Sequence, residues 1–299
     1  VFGGLYLNHL REAAYSNLLR AESAADAALH AGKEAWTEIV QGDIDCDGGS
    51  ELLLKTARLS LLCHTHDGGA VTEVSLPPRG VALGHVLTRR EEGYHGTFLR
   101  AAGAFDGSTS IHDVLVLKDP SVTEALGSDP WQRASFRESF FREEDSLGAI
   151  LSGSATPLCG TAGKEAGVES VRRGGRIKVS LEVPMGGVGV ELVLEKELVL
   201  RGGAEGVEVA YRLINHGKGT VAGRLCSEWN LNFLSGDGPD RYYEGLGETR
   251  ALSSRGGAEG VTGFRVVDGW RGVTAAASMD RECAVICHPV ETASLSEAG

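Results

Sequence analysis

The chain has 299 residues with 41 acidic against 29 basic side chains, a formal net charge of -12, so it lacks the cation clusters that neutralise a phosphate backbone, and nucleic acid is excluded as a partner. Apolar residues make up 42% and charged residues 23%, the balance of a chain that folds around a sizeable core rather than staying disordered. No apolar run approaches the roughly 20 residues that span a bilayer, and no membrane partner is expected.

The chain opens on Val1 rather than Met and stops at Ser296 to Gly299 directly after an expected strand, so both ends read as cut. From Leu7 onward, Leu10, Ala14, Leu18, Ala21, Ala25 and Ala28 recur at steps of three and four, the spacing of one helix face. This predicts a helix ending near Gly32. Its alanine-rich stripe is expected to pack closely against another helix, one that lies outside this sequence.

After Gly42 the apolar period falls to two: Leu59 and Leu61, Val71 and Val74, Ile111 to Leu117, Ile177 to Val183, and Val188 to Leu194 followed by Leu198 and Leu200. Alternation of this kind predicts strands with one face buried. The 42 glycines of the chain, roughly twice the usual share, sit in pairs at 68–69, 174–175, 186–187 and 256–257, where they predict tight turns. Many strands with glycine turns imply a mainly β chain, a large twisted β-sandwich preceded by a short helical segment. The stretch from Ser152 to Gly175 is poor in apolar residues and reads as an exposed loop or seam. Six scattered cysteines without a CxxC pair are expected to be reduced, which points to a cytoplasmic setting.

The sharpest local signal is Asp43-Ile44-Asp45-Cys46-Asp47-Gly48-Gly49-Ser50-Glu51. Calcium takes about six to eight hard oxygens, and alternate carboxylates with a glycine at the sixth position turn toward one centre. Asp43, Asp45, Asp47 and Glu51 would supply carboxylates and Gly49 a carbonyl, to a structural Ca2+. Leu54 stands where an EF-hand has its bidentate Glu, and a strand follows instead of a helix, so a calcium loop of a β protein is expected; the other reading is an acidic turn.

Three further clusters mix polar and aromatic groups. In Arg89-Arg90-Glu91-Glu92-Gly93-Tyr94-His95, the residues Arg90, Tyr94 and His95 suit a polysaccharide surface, and a salt-bridged strand edge suits them equally. Trp131, after Pro130, is either a sugar platform or, as favoured here, a ring closing the core. Glu228, Asn230 and Asn232 alternate along one strand face and either line a binding groove or meet solvent. No GxSxG, P-loop, HExxH or GxGxxG occurs, and no pair among the 41 acids stands out as the two carboxyl groups a glycoside hydrolase needs.

The opening Val1-Phe2-Gly3-Gly4-Leu5-Tyr6-Leu7-Asn8-His9-Leu10-Arg11 resembles the stretch just after the catalytic barrel of family 57 glycoside hydrolases, the 4-α-glucanotransferases and α-amylases. The Asp43 to Glu51 loop, Arg89-Arg90 with Tyr94-His95, Ile111-His112, Arg133 to Phe140, Glu228-Trp229-Asn230, and Pro289 to Thr292 with Ser296-Glu297 follow in that family's order. The resemblance implies a helical tail over 1–41 and a galactose-mutarotase-like sandwich over 42–299, truncated at its end. It also implies a retaining reaction on α-1,4-glucans whose catalytic Glu and Asp belong to an N-terminal barrel before Val1, so none is expected in this chain. Phe2, Arg90, Tyr94, His95, Trp131, Glu228 and Asn230 would then touch a maltooligosaccharide, with the enzyme's own barrel as partner. Two other functions stay open: a non-catalytic carbohydrate-binding module, and a mutarotase-like epimerase recruiting His95, His112 and Glu228.

Overall fold

Alternating apolar residues can leave water only by facing another sheet, and the computed structural model shows which faces meet. It describes residues 7–31, 33–93, 95–96, 127–187, 189–248 and 250–291. The chain divides into a smaller unit of 1–11, 87–133 and 290–299 and a larger one of 12–86 and 134–289. All the strands described lie in the larger unit. Phe2, Tyr94, His112 and the expected strand Ile111 to Leu117 lie outside the described residues.

The first sheet is an antiparallel meander of β1 (Thr37–Gly42), β2 (Glu51–Thr56), β3 (Ser60–His64), β4 (Ala70–Leu76) and β5 (Val81–Ala82). In chain order there follow β6 (Arg137–Arg142), a short helix α2 (Leu147–Leu151), β7 (Cys159–Gly160), β8 (Gly167–Arg173), β9 (Arg176–Pro184), β10 (Leu192–Arg201), β11 (Val207–Asn215) and β12 (Gly223–Glu228). Strands β11-β10-β9-β8 form a second antiparallel sheet and β12-β6-β7 a third. Strands β13 (Arg241–Glu244), β14 (Arg250–Ala251), β15 (Gly256–Asp268) and β16 (Val273–Cys287) form a fourth, in the order β14-β13-β15-β16.

One apolar cluster joins the first two sheets. Leu52, Leu54, Leu61 and Cys63 share it with Ile177, Val179, Leu181, Val183, Leu194, Leu198 and Leu200. Register keeps that face apolar, since Leu194 lies opposite Val183, Leu198 opposite Val179 and Leu200 opposite Ile177. Each fully buried Leu, Ile or Val is worth about 1.5–3 kcal/mol, so this interior accounts for the mainly β, sandwiched architecture the alternation predicts. The two-residue turn between β8 and β9 is Gly174-Gly175 at φ +60° and +72°, the paired left-handed geometry that fits the strand twist and that residues with a Cβ resist. No helix among the described residues is long and apolar enough to cross a membrane. All six cysteines are free, and burial pushes the Cys63 thiol up to about 12.

Several elements differ from the sequence reading, each for a local reason. Strand β1 starts at Thr37, before the expected onset at Gly42, and escapes a sequence reading because only Thr37 of its side chains is buried and no apolar alternation marks it. The run Val188 to Leu194 is not one strand: Gly187 bridges Val190, Gly189 takes φ +76°, and β10 begins at Leu192. The supposed loop 152–175 contains β7 and the edge strand β8, whose outward side chains hide it from any apolar pattern. Gly256-Gly257 opens β15 rather than forming a turn.

Helix α1 (Asn8–Leu29) turns a different face to this chain than its apolar stripe. The stripe of Leu10, Ala14, Leu18, Ala21, Ala25 and Ala28 is exposed, with Leu18 at 67%, and the buried face carries Glu12, Leu19 and Asp26 at steps of seven. Charge anchors this face in the larger unit. Lys55 Nζ of β2 lies 2.8 Å from both Asp26 Oδ1 and Glu22 Oε1. Glu12 takes His85 Nε2 and Arg271 Nη1, each at 3.0 Å, and Arg271 also binds Asp268 Oδ2 at 2.6 Å. Buried charges persist only when paired in this way.

Candidate functional site

The acidic segment forms the β1–β2 connection, and its backbone organises it. The amide of Gly49 donates to Asp47 Oδ1 at 2.7 Å, that of Asp47 to Asp45 Oδ1 at 3.2 Å, and that of Gly48 to Asp43 Oδ2 at 3.3 Å. Cys46 at φ +63° and Gly48 at φ +88° make the bend. Glu51 opens β2, is fully buried, and accepts the Ile44 amide on Oε2 at 2.7 Å. The result brings Asp43, Asp45 and Glu51 together, with one oxygen of each within 4.8 Å of the others.

Asp47 joins a different group. It clusters with His64 and His66, donor atoms again within 4.8 Å of one another. His66 Nε2 lies 3.3 Å from Asp47 Oδ2, while His66 Nδ1 and His64 Nδ1 lie 3.5 and 3.8 Å from Glu51 Oε1. The hydrogen bond from Gly49 holds the Asp47 carboxyl below the usual carboxylate range. Gly49 sits beneath the His66 ring, since a Cβ there would fall 2.1 Å from Nδ1. Sequence reading missed both histidines, although His64-x-His66 just before the Gly68-Gly69 turn was visible as a pair of ligand-type residues.

The polar row near β12 is built differently from a groove. Glu228 is exposed, but Asn230 is 6% exposed and Asn232 is buried. Asn230 Nδ2 donates to Glu228 Oε1 and to the Ala134 carbonyl, both at 2.8 Å, so its two amide hydrogens brace Glu228 against the chain. Asn232 Nδ2 lies 3.1 Å from His85 Nε2. Between them, Trp229 is 41% exposed and packs by Phe136 and Phe264, ring centroids 5.6 and 6.1 Å away. Its Nε1 donates to Ser227 Oγ, which donates to Glu138 Oε1 at 3.2 Å. Glu138 and Lys196 are a fully buried pair, Oε2 to Nζ 2.7 Å. Phe264 also lines a shallow cavity of about 500 Å3 with Glu244, Arg265 and Ser278.

In the smaller unit, Asp129 is clamped by two guanidiniums: Arg89 Nη2 at 2.7 Å and Arg133 Nη2 at 2.6 Å, both on Oδ1. Burial works to raise its carboxyl, and the two arginines outweigh that and hold it low. Arg90 is exposed and His95 buried, with Nδ1 accepting the Glu92 amide at 3.2 Å. Trp131 is 52% exposed, which corrects the favoured expectation that it closes a core. The expected contacts thus fall into separate places: Arg90, His95 and Trp131 in one unit, Glu228, Asn230 and the acidic loop in the other.

Comparison with known proteins adds to this geometry. Residues 43–299 match the family model described as α-amylase/4-α-glucanotransferase, C-terminal. The whole chain is 30% identical to α-amylase 1 of Dictyoglomus thermophilum and covers 42% of that protein. Over 149 residues, 49% of this chain and 21% of that protein, it is 30% identical to a 4-α-glucanotransferase of Thermococcus kodakarensis. The crystal structure of 4-α-glucanotransferase from Thermococcus litoralis superposes with a TM-score of 0.72 at 22% identity, over 100% of this chain and 41% of that one, a likeness of fold. The chain spans about two-fifths of the length of these two proteins that it matches from end to end.

Proposed function

We propose, from the premise that this chain belongs to the family of α-amylase/4-α-glucanotransferase C-terminal domains, that it is the non-catalytic β-rich part of an enzyme acting on α-1,4-glucans. The match over residues 43–299 carries the reading. Glycoside transfer or hydrolysis needs two carboxyl groups flanking one bond, and the resemblance assigns both to a barrel outside these residues. The barrel is the proposed partner. The exposed face of α1, with Leu18 and Leu29 among its alanines, supports docking against it, because a helix rarely leaves such a stripe in water. Free cysteines are in keeping with work in the cytoplasm.

Glucan contact is the second element. Sugar faces stack on aromatic rings while their hydroxyls take hydrogen bonds, and the exposure of Trp229 beside Glu228, and of Trp131 and Arg90 in the smaller unit, supports it. Calcium is the third. The all-oxygen set of Asp43, Asp45 and Glu51 fits a hard cation. Asp47 and Gly49, the other expected ligands, face His66 in this structure. Bound there, the ion would tie β1 to β2 and take no part in chemistry.

The test is an assay of the purified chain on maltooligosaccharides with calcium present, following chain-length distribution by chromatography. An unchanged distribution together with retardation in a glycogen-containing native gel is expected. Disproportionation or hydrolysis by this chain alone would place the catalytic pair within it and overturn the reading.

A further inference from the structure

The geometry points to a second metal site beside the acidic loop, of a class that calcium does not use: His64 Nδ1, His66 Nδ1 and the inward oxygen of Glu51 hold one divalent transition-metal ion of the zinc type, with Asp47 on the other ring nitrogen of His66 to orient it. The inference does not rest on the glucan reading. Two imidazoles with one carboxylate form a borderline-soft donor set that suits Zn2+ and its neighbours, whereas Ca2+ takes oxygens.

The fold converges these side chains from three places. The β2–β3 ladder sets Glu51 directly opposite His64, the turn after β3 carries His66, and the β1–β2 loop delivers Asp47. A tetrahedral ion with bonds of about 2.0–2.1 Å keeps its donors about 3.3 Å apart. The spacings of 3.5 and 3.8 Å from Glu51 Oε1 to His66 Nδ1 and His64 Nδ1 lie near that edge length and beyond the range of good hydrogen bonds, while Asp47 Oδ2 lies 3.3 Å from His66 Nε2, the nitrogen that points away from Glu51.

The second line of argument is what these atoms lack. Glu51 is completely buried and its Oε1 has no hydrogen-bond partner, nor has the buried His66 Nδ1 that faces it. A desolvated carboxylate oxygen aimed at two imidazole nitrogens is costly unless a cation sits among them. The outer groups are also arranged for ligation. His64 Nε2 is engaged by Thr72 Oγ1 of β4 at 2.7 Å, which leaves Nδ1 facing the cluster. The Ile44 amide holds the far oxygen of Glu51, so the near one cannot swing away.

The experiment uses the 299-residue chain with Cys46→Ser in every sample, so that the exposed loop thiol contributes nothing. Co2+ is titrated in the presence of excess Ca2+, and its visible absorption, equilibrium-dialysis stoichiometry and displacement by Zn2+ are followed. One Co2+ per chain with a nitrogen-ligand visible band is expected. His66→Asn, at a partly exposed position, should lower affinity at least about 100-fold, and Thr72→Val, which removes only the positioning hydroxyl, by about 10–100-fold. Circular dichroism establishes that each variant is folded. Failure of the parent to bind, or binding that both folded variants leave unchanged or that excess Ca2+ abolishes, would overturn the site. Failure to bind would mean that the imidazoles merely pair with Glu51 when protonated.

Discussion

The Lys196 ammonium offers the most demanding test of how this fold holds together. It is fully buried, lies 2.7 Å from Glu138 Oε2, and donates to the carbonyls of Phe136 at 2.6 Å, Gly68 at 3.1 Å and Gly69 at 3.2 Å. Removing one partner of a buried pair costs about 3–5 kcal/mol, and each carbonyl left unsatisfied adds about 1–3 kcal/mol. Two relaxations work against that sum. Burial already pushes the Glu138 carboxyl up, so it can take a proton and shed its charge, and water can enter beside the carbonyls. Lys196→Met is therefore expected to destabilise the chain by about 4–6 kcal/mol. Glu138→Gln keeps the ammonium on its three carbonyls and should cost less, about 2–3 kcal/mol. Urea unfolding followed by tryptophan fluorescence gives both values, provided circular dichroism traces the same transition. A Lys196→Met loss under about 1 kcal/mol, or a Glu138→Gln loss larger than that of Lys196→Met, would refute the view that this ammonium organises the Gly68-Gly69 turn.

Three further outcomes follow from particular residues. Burial works to raise the Glu12 carboxyl, and the His85 hydrogen bond with the Arg271 charge outweighs it and holds it low; a carboxyl depressed on folding adds stability above its unfolded pKa that is lost as pH falls through the folded value. Urea midpoints measured down the acid range should accordingly fall less steeply for Glu12→Gln than for the parent, and parallel slopes would acquit this residue. Gly174→Ala meets nothing within 4 Å yet imposes φ +60° on a residue with a Cβ, so a loss of about 1–2 kcal/mol is expected, while Gly186→Ala, with open space and no positive φ, leaves Tm unchanged. Leu18→Asp, on the exposed stripe of α1, should shift this chain by no more than about 0.5 kcal/mol and the longer enzyme proposed above by clearly more; equal small shifts in both would argue against docking of that helix face.

What was legible in the sequence is what single strands and single loops encode by themselves. Strand β9 buries alternate residues from Ile177 to Val183, so its period of two survives translation into letters, and Gly174-Gly175 marks its turn because few other residues take that backbone. The Asp43 to Glu51 loop is equally local. Strand β8 was not legible, because an edge strand with outward side chains owes its structure to backbone hydrogen bonds with β9 that leave no mark on composition. The face that α1 turns to this chain was not legible for a related reason: it is set by where Lys55 and Arg271 wait, and those lie far away in sequence. His64 and His66 belong to the same class. Their relation to Glu51 and Asp47 arises from the β2–β3 register, which sets Glu51 opposite His64. A one-residue slip would turn His64 to the other face of the sheet, so the apolar pairing of Leu52 with Cys63 and Leu54 with Leu61 is also what brings the histidines to the acidic loop.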